Sequence, residues 1–183
     1  YDCEFTPWND YGISLNSVSH GIILGNEFST TNDDMQIENC EGLFIGFNLF
    51  NSTGRGILVD NVYDSIIIGN TFQNPLTSMF WTRTIYQNLV FDNTFINYHE
   101  CAIDMSMGTF LNNSIFFNTY DSSFSADFIY GNTSGNEIYD NYDLNEDVED
   151  DFYEENDVRE ESYLLSLGSF YNLVCNDPDW YRL

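Results

Sequence analysis

Carboxylates dominate the chemistry this chain could carry. Between Asp140 and Glu161 lie 12 acidic side chains against one arginine, Arg159. Within that run Asp143, Asn145, Asp147, Glu149, Asp151 and Glu154 stand at positions 1, 3, 5, 7, 9 and 12 of an EF-hand-type loop, the spacing that wraps oxygen ligands around calcium. Position 6 is Val148, where the sharp turn asks for Gly, and position 8 is Asp150, where an apolar residue is usual. Calcium is the one cofactor the sequence points to; the competing reading is a solvated acidic loop. His99-Glu100-Cys101 is a metal-ligating trio by type, but neighbours on a strand face opposite sides, so their convergence requires a loop. Arg55 and Arg83 fall on neighbouring repeats and could share a face with Asp60 or Asp104. Aromatic side chains beside Asp and Asn can stack on sugars; the residues placed for it are Trp8, Trp81, Tyr86, Tyr98 and Trp180.

The charge excludes several partners. There are 30 acidic residues and four basic ones, all arginine, for a net charge of −26. Nucleic acid, anionic lipid and polyanionic glycans each need Lys or Arg to neutralise them. No apolar run is long enough to cross a bilayer. The four cysteines, Cys3, Cys40, Cys101 and Cys175, match no zinc or redox spacing. Stacked turns rise ~4.8 Å each, which puts Cys40 and Cys101 too far apart to bond; the expectation is of buried thiols. Sequons at Asn51, Asn112 and Asn132 are compatible with an extracellular, glycosylated surface.

The elements that must position these groups recur. Asn26, Asn48, Asn70, Asn93 and Asn118 each precede an aromatic by two residues, at spacings of 22, 22, 23 and 25, and Asn141 follows after 23. Cys3-Glu4-Phe5 reads as the same step with Cys in place of Asn. Each repeat holds short β-branched strands bounded by Gly, Asn and Asp, as in Gly56-Ile57-Leu58-Val59 and Ser65-Ile66-Ile67-Ile68. A period near 22 in such a chain is the signature of a solenoid. Asn tolerates left-handed backbone at corners, and its amide can bond the Asn of the next turn. A second ladder is expected at Asn16, Asn39 and Asn61. The predicted fold is all-β: a right-handed, single-stranded parallel β-helix of ~22–23 residues per turn. Six to seven turns over residues 1–141 would rise ~30 Å.

The motif Gly-Ile-x-Val-x-Asn followed by Ile-x-Ile-x-Asn-x-Phe, from Gly56 to Phe72, resembles the right-handed parallel β-helix repeats of pectate-lyase-like proteins and of many archaeal and bacterial surface proteins. That resemblance implies a microbial surface origin, and the charge favours archaea. It implies no single activity, because such repeats carry lyases, hydrolases, spikes and adhesins alike. A lyase site of this kind needs clustered acidic calcium ligands and a basic proton acceptor; lysine is absent and the arginines are scattered. A polygalacturonase-like site needs paired aspartates, then His-Gly, then Arg-x-Lys. Ser19-His20-Gly21 and Asp33-Asp34 come in the reverse order, and His20 reads as a turn residue. No catalytic residue is assigned.

Residues 142–157 read as an acidic loop and 158–183 as a short C-terminal cap. Asp157 and Glu160 form a capping box, which predicts a helix over 158–167 ending at Gly168, followed by a strand over 170–175. Tyr1 to Phe5 reads as the closing strand of a preceding turn, an open edge suited to head-to-tail association. The sequence therefore reads as a non-catalytic extracellular protein at the cell surface. Its role would be structural or adhesive, within a surface layer, sheath, spike or filament, self-associating or bound to other surface subunits. The alternative is a β-helix that binds or cleaves glycans.

Overall fold

A computed structural model describes residues 4–5, 11–121, 126–144, 163–164 and 181–182 of the chain. The chain divides into two units, Tyr1–Asn145 and Glu146–Leu183. In the second, Tyr163–Leu164 pairs in parallel with Tyr181–Arg182. Those two residues fall inside the stretch expected to be helical and are strand instead, held by ladder bonds to a partner that the capping signal could not register. The rest of that helix and the strand expected over 170–175 lie outside the described residues.

The first unit is a β-solenoid of about six turns, all of its strand pairs parallel. Three sheets run its length. Sheet I holds Glu4–Phe5, Glu27–Phe28, Leu49–Phe50, Thr71–Gln73, Thr94–Ile96, Thr119–Tyr120 and Tyr142–Asp143. Sheet II holds the longer strands Tyr11–Asn16, Asp33–Glu41, Arg55–Tyr63, Thr77–Tyr86, Cys101–Leu111 and Asp127–Gly131. Sheet III holds Ile22–Leu24, Phe44–Gly46, Ile66–Ile68, Leu89–Phe91, Ser114–Phe116 and Glu137–Tyr139. Each strand pairs with its counterpart one turn on, so equivalent residues stand in columns.

Alternation along each strand sends one set of columns inward. In sheet III the inward column is Ile23, Ile45, Ile67, Val90, Ile115 and Ile138. In sheet I it is Phe28, Phe50, Phe72 and Phe95, whose rings stack with centroids 4.8–5.0 Å apart. That spacing is the rise of the strands themselves, so the repeat imposes the stack. Opposite these rings the second residue of the first five sheet II strands is Gly12, Asp34, Gly56, Ser78 and Ala102, none of them large; in the sixth it is Phe128, whose ring meets Phe95 and Tyr120. A Cβ at Gly56 would fall 2.6 Å from the Phe72 ring, which explains the glycine.

The uneven spacings are absorbed without losing register. Arg83 and Thr84 together face Asn61, and a further shift falls between Phe80 and Thr82 against the strand below. Thr71 pairs with Thr94 at a separation of 23, Thr77 with Cys101 at 24 and Thr82 with Met107 at 25. One added residue thus enters at the 97–100 corner and one as a bulge, and from Leu89 onward the columns are restored. Bulges bend one strand and leave the rest of the ladder paired.

Candidate functional site

Asn48, Asn70, Asn93 and Asn118 are each at most 2% exposed. The Oδ1 of Asn70 accepts from both the backbone N–H and the Nδ2 of Asn48, each at 3.0 Å, and its own Nδ2 donates to Asn93 Oδ1 and to Ile45 O, again at 3.0 Å. The pattern runs from Asn26 to Asn141. Every polar atom of these buried amides is engaged, and each link ties one turn to the next. The residue before each is left-handed, with φ between 49° and 66° at Gly25, Phe47, Gly69, Asp92, Phe117 and Asp140.

A second buried ladder lies five residues upstream. Ser65 N donates to Asn88 Oδ1, Asn88 N and Nδ2 to Asn113 Oδ1, and Asn113 N and Nδ2 to Asn136 Oδ1. The constant offset of five from the first ladder was the signal in the sequence. The ladder expected at Asn16, Asn39 and Asn61 is corrected. Asn39 and Asn61 do bond (3.1 Å), but Asn16 stands one place out of register, beside Glu38, to which its Nδ2 donates. Ser17 occupies the left-handed position in that turn, at φ 58°.

The charged groups gather on sheet II. Arg55 Nε donates to Asp33 Oδ1 at 2.9 Å, and Asp33 is 1% exposed. Its Oδ2 is also buried and accepts nothing. The Arg55 guanidinium carbon lies 5.0 Å from the centre of the Phe80 ring, within cation–π range. Thr77 Oγ1 donates to Glu100 Oε2. These groups line a groove of about 230 Å³ together with Asn32 and Leu76. Asp33 and Thr77 are buried behind the groove; the guanidinium on its aromatic face and the exposed Glu100 carboxylate are the groups it presents to a polyhydroxylated ligand. Arg83 sits in the bulge and reaches Asp60 (3.4 Å) and Glu38 (3.7 Å). Asp104 accepts from the backbone N–H of Ser106. Asp33–Arg55 was missed from the sequence alone; setting the turns in register at 22 puts one residue on the other.

One position away, Asp34 is fully buried. Its Oδ1 accepts from Thr30 N–H at 3.0 Å. Burial pushes its carboxyl up from 3.8 to about 6; the Thr30 amide, the Thr30 and Ser52 hydroxyls nearby pull it down, and Asp33 adds to the rise. Neither hydroxyl makes a well-formed bond to Oδ2, and Ser52 Oγ donates to Arg55 O instead.

Several residues singled out by type are in the wall of the coil. Trp81 and Tyr98 are at most 1% exposed, so neither is a platform for a sugar. Trp81 lies on the inward column with Val59, and burial raises the Tyr98 phenol further with help from Asp143. Tyr86 accepts from Asn112 Nδ2. Trp8 and Trp180 lie outside the described residues. Cys40 and Cys101 are free and buried, and burial pushes the Cys101 thiol up to about 12, far from a nucleophile at neutral pH. Cys101 turns inward while Glu100 is exposed, which separates the trio with His99. His20 is at a left-handed corner, φ 59°. Among the described residues no three His, Cys, Asp or Glu side chains are grouped to hold a metal. Of the EF-hand-type set only Asp143 is described, in register on Tyr120; Asn145, Asp147, Glu149, Asp151 and Glu154 lie outside. Asn112 and Asn132 are exposed and Asn51 is half-buried.

Stacked parallel strands, two internal amide ladders and a ring column define a parallel β-solenoid. The chain matches the family described as right handed beta helix region over residues 1–143, and it belongs to that family. No curated protein and no solved structure matches it. Among the described residues no helix is long and apolar enough to cross a membrane.

Proposed function

We propose that this chain is an extracellular structural or adhesive β-helix, a module of a surface layer, sheath, spike or filament. The observation that carries the reading is the continuity of the stack. From Asn26 to Asn141 every turn donates to the next through side-chain amides, an arrangement suited to a rigid module. The net charge of −26 favours solubility, and calcium at 143–154 is the proposed assembly ion. Negative-stain imaging with calcium and with chelator tests this. Ordered filaments or sheets that disperse on chelation are expected; single particles under every condition would sink the reading.

A second reading is favoured by the Arg55–Phe80 groove, whose guanidinium, ring and exposed Glu100 carboxylate suit neutral glycan binding without requiring turnover. Titration of neutral oligosaccharides against the intact chain and Arg55→Met separates the two readings. Saturable binding lost in the variant supports the groove.

A further inference from the structure

We propose that the outer face of sheet III is an interface between two copies of this chain, packed sheet to sheet about a two-fold axis. The first observation is a pair of residues in the wrong backbone. Phe47 and Phe117 occupy the left-handed corner, at φ 55° and 53°, and are 60% and 49% exposed. On the other turns that corner holds Gly25, Gly69, Asp92 and Asp140, the types the geometry favours. A bulky ring is disfavoured there by the backbone and by water together; Phe117 meets Phe116 and Tyr139 edge-on and Phe47 lies over Gly69, yet about half of each ring stays in water.

The second observation is the face these rings extend. Ile22 is 74% exposed, Leu24 42%, Leu89 37% and Tyr139 43%. Over the first four strands its outward columns carry no charge, and over all six they carry one carboxylate, Glu137. Taking ~150–250 Å² for each large side chain, the exposed fractions amount to roughly 450–750 Å² of apolar surface. That reaches past the largest patch of a typical monomer, about 300–600 Å², toward the ~800 Å² per partner of a stable interface.

The third observation is how the rings lie. The Phe44 and Phe47 rings lie over Gly46 and Gly69, within 2.7 Å of where a Cβ would be, and Phe91, Phe116 and Tyr139 stack at 5.0 and 5.1 Å with planes within 4°. The same face meeting itself across a two-fold axis is an isologous contact. The rim carries Asp64, Asp92 and Asp140 at the corners, so like charges oppose pairing until salt screens them.

The test is sedimentation velocity of the full chain from low salt to 1 M NaCl. The expected mass moves from 21.2 kDa toward twice that value as salt rises, with at least a tenfold tighter association at the high end. The double variant Phe47→Asn, Phe117→Asn puts a favoured residue at each corner; it is expected to melt no lower than the parent and to stay monomeric. A parent monomeric at every salt, or a variant that dimerises as the parent does, overturns the proposal. The inference does not rest on the surface-module reading: lateral dimers without filaments would sink that reading alone, and filaments built from units without lateral pairing would sink this one alone.

Discussion

Sheets I and III differ from sheet II in how strictly they repeat, and chemistry follows the difference. In sheets I and III the strands are two or three residues long, the inward columns are nearly uniform, and an asparagine ladder runs from Asn26 to Asn141 without a break. Sheet II has strands of five to eleven residues and both register shifts, and it carries both arginine pairings. Where the repeat is strict, each side chain is committed to its neighbours one turn away. Where it loosens, a residue can be inserted or substituted without breaking the stack, and that is where Arg55, Phe80 and Arg83 stand. A solenoid adds up nearest-neighbour terms, so a fault in a strict column should propagate both ways, while one in sheet II should stay local.

The largest effect should come from the strict region. Asn70→Ala strips the acceptor from Asn48 N–H and Nδ2 and the donor from Ile45 O. With each buried orphan costing ~1–3 kcal/mol, a loss of about 3–5 kcal/mol is expected in urea unfolding. Asn61→Ala, at a half-exposed corner, should lose less than about 1 kcal/mol. Equal losses at the two sites would erase the contrast between the columns.

Asp34 should give the next effect, with a sign set by pH. Its folded value of about 6 lies above the unfolded 3.8. The stability tied to this group is therefore fully present below about 3.8 and is lost as pH rises through 6. Asp34→Asn should be more stable than the parent by roughly 2–3 kcal/mol at pH 7, and the gap should close as pH falls toward 4. A gap that is constant across pH would place the charge of Asp34 elsewhere than in a desolvated corner.

The smallest effects sharpen the comparison within sheet II. Arg55→Met leaves Asp33, 1% exposed, without its cation, for an expected loss of roughly 1–3 kcal/mol that survives 1 M salt. Arg83→Met touches a pair that is 61% exposed on the arginine side and should change stability by less than about 1 kcal/mol, vanishing in salt. Matching salt dependence for the two would show Asp33 to be better solvated than its burial implies.

How far the sequence could be read follows the same division. Asn26, Asn48, Asn70, Asn93, Asn118 and Asn141 announce themselves because the column demands one residue type at one place per turn. The Asn88–Asn113–Asn136 ladder was equally periodic but short, and Ser65 stands where a fourth Asn would have made it plain. Trp81 and Phe80 could not be told apart by type; which of them faces the core depends on the phase of a strand that carries a register shift one residue on.

By itself the sequence determined the solenoid, its period and the strands of each turn, because identical columns can be satisfied only by stacking identical turns. The tertiary structure alone decided which carboxylate meets which arginine, that Asp34 is desolvated, and that Phe47 and Phe117 point away from the core. Those outcomes depend on contacts that exist only once the turns are stacked, such as Arg55 with Asp33 22 positions away, and a single added residue in a bulge re-aims its neighbours while leaving the periodicity intact.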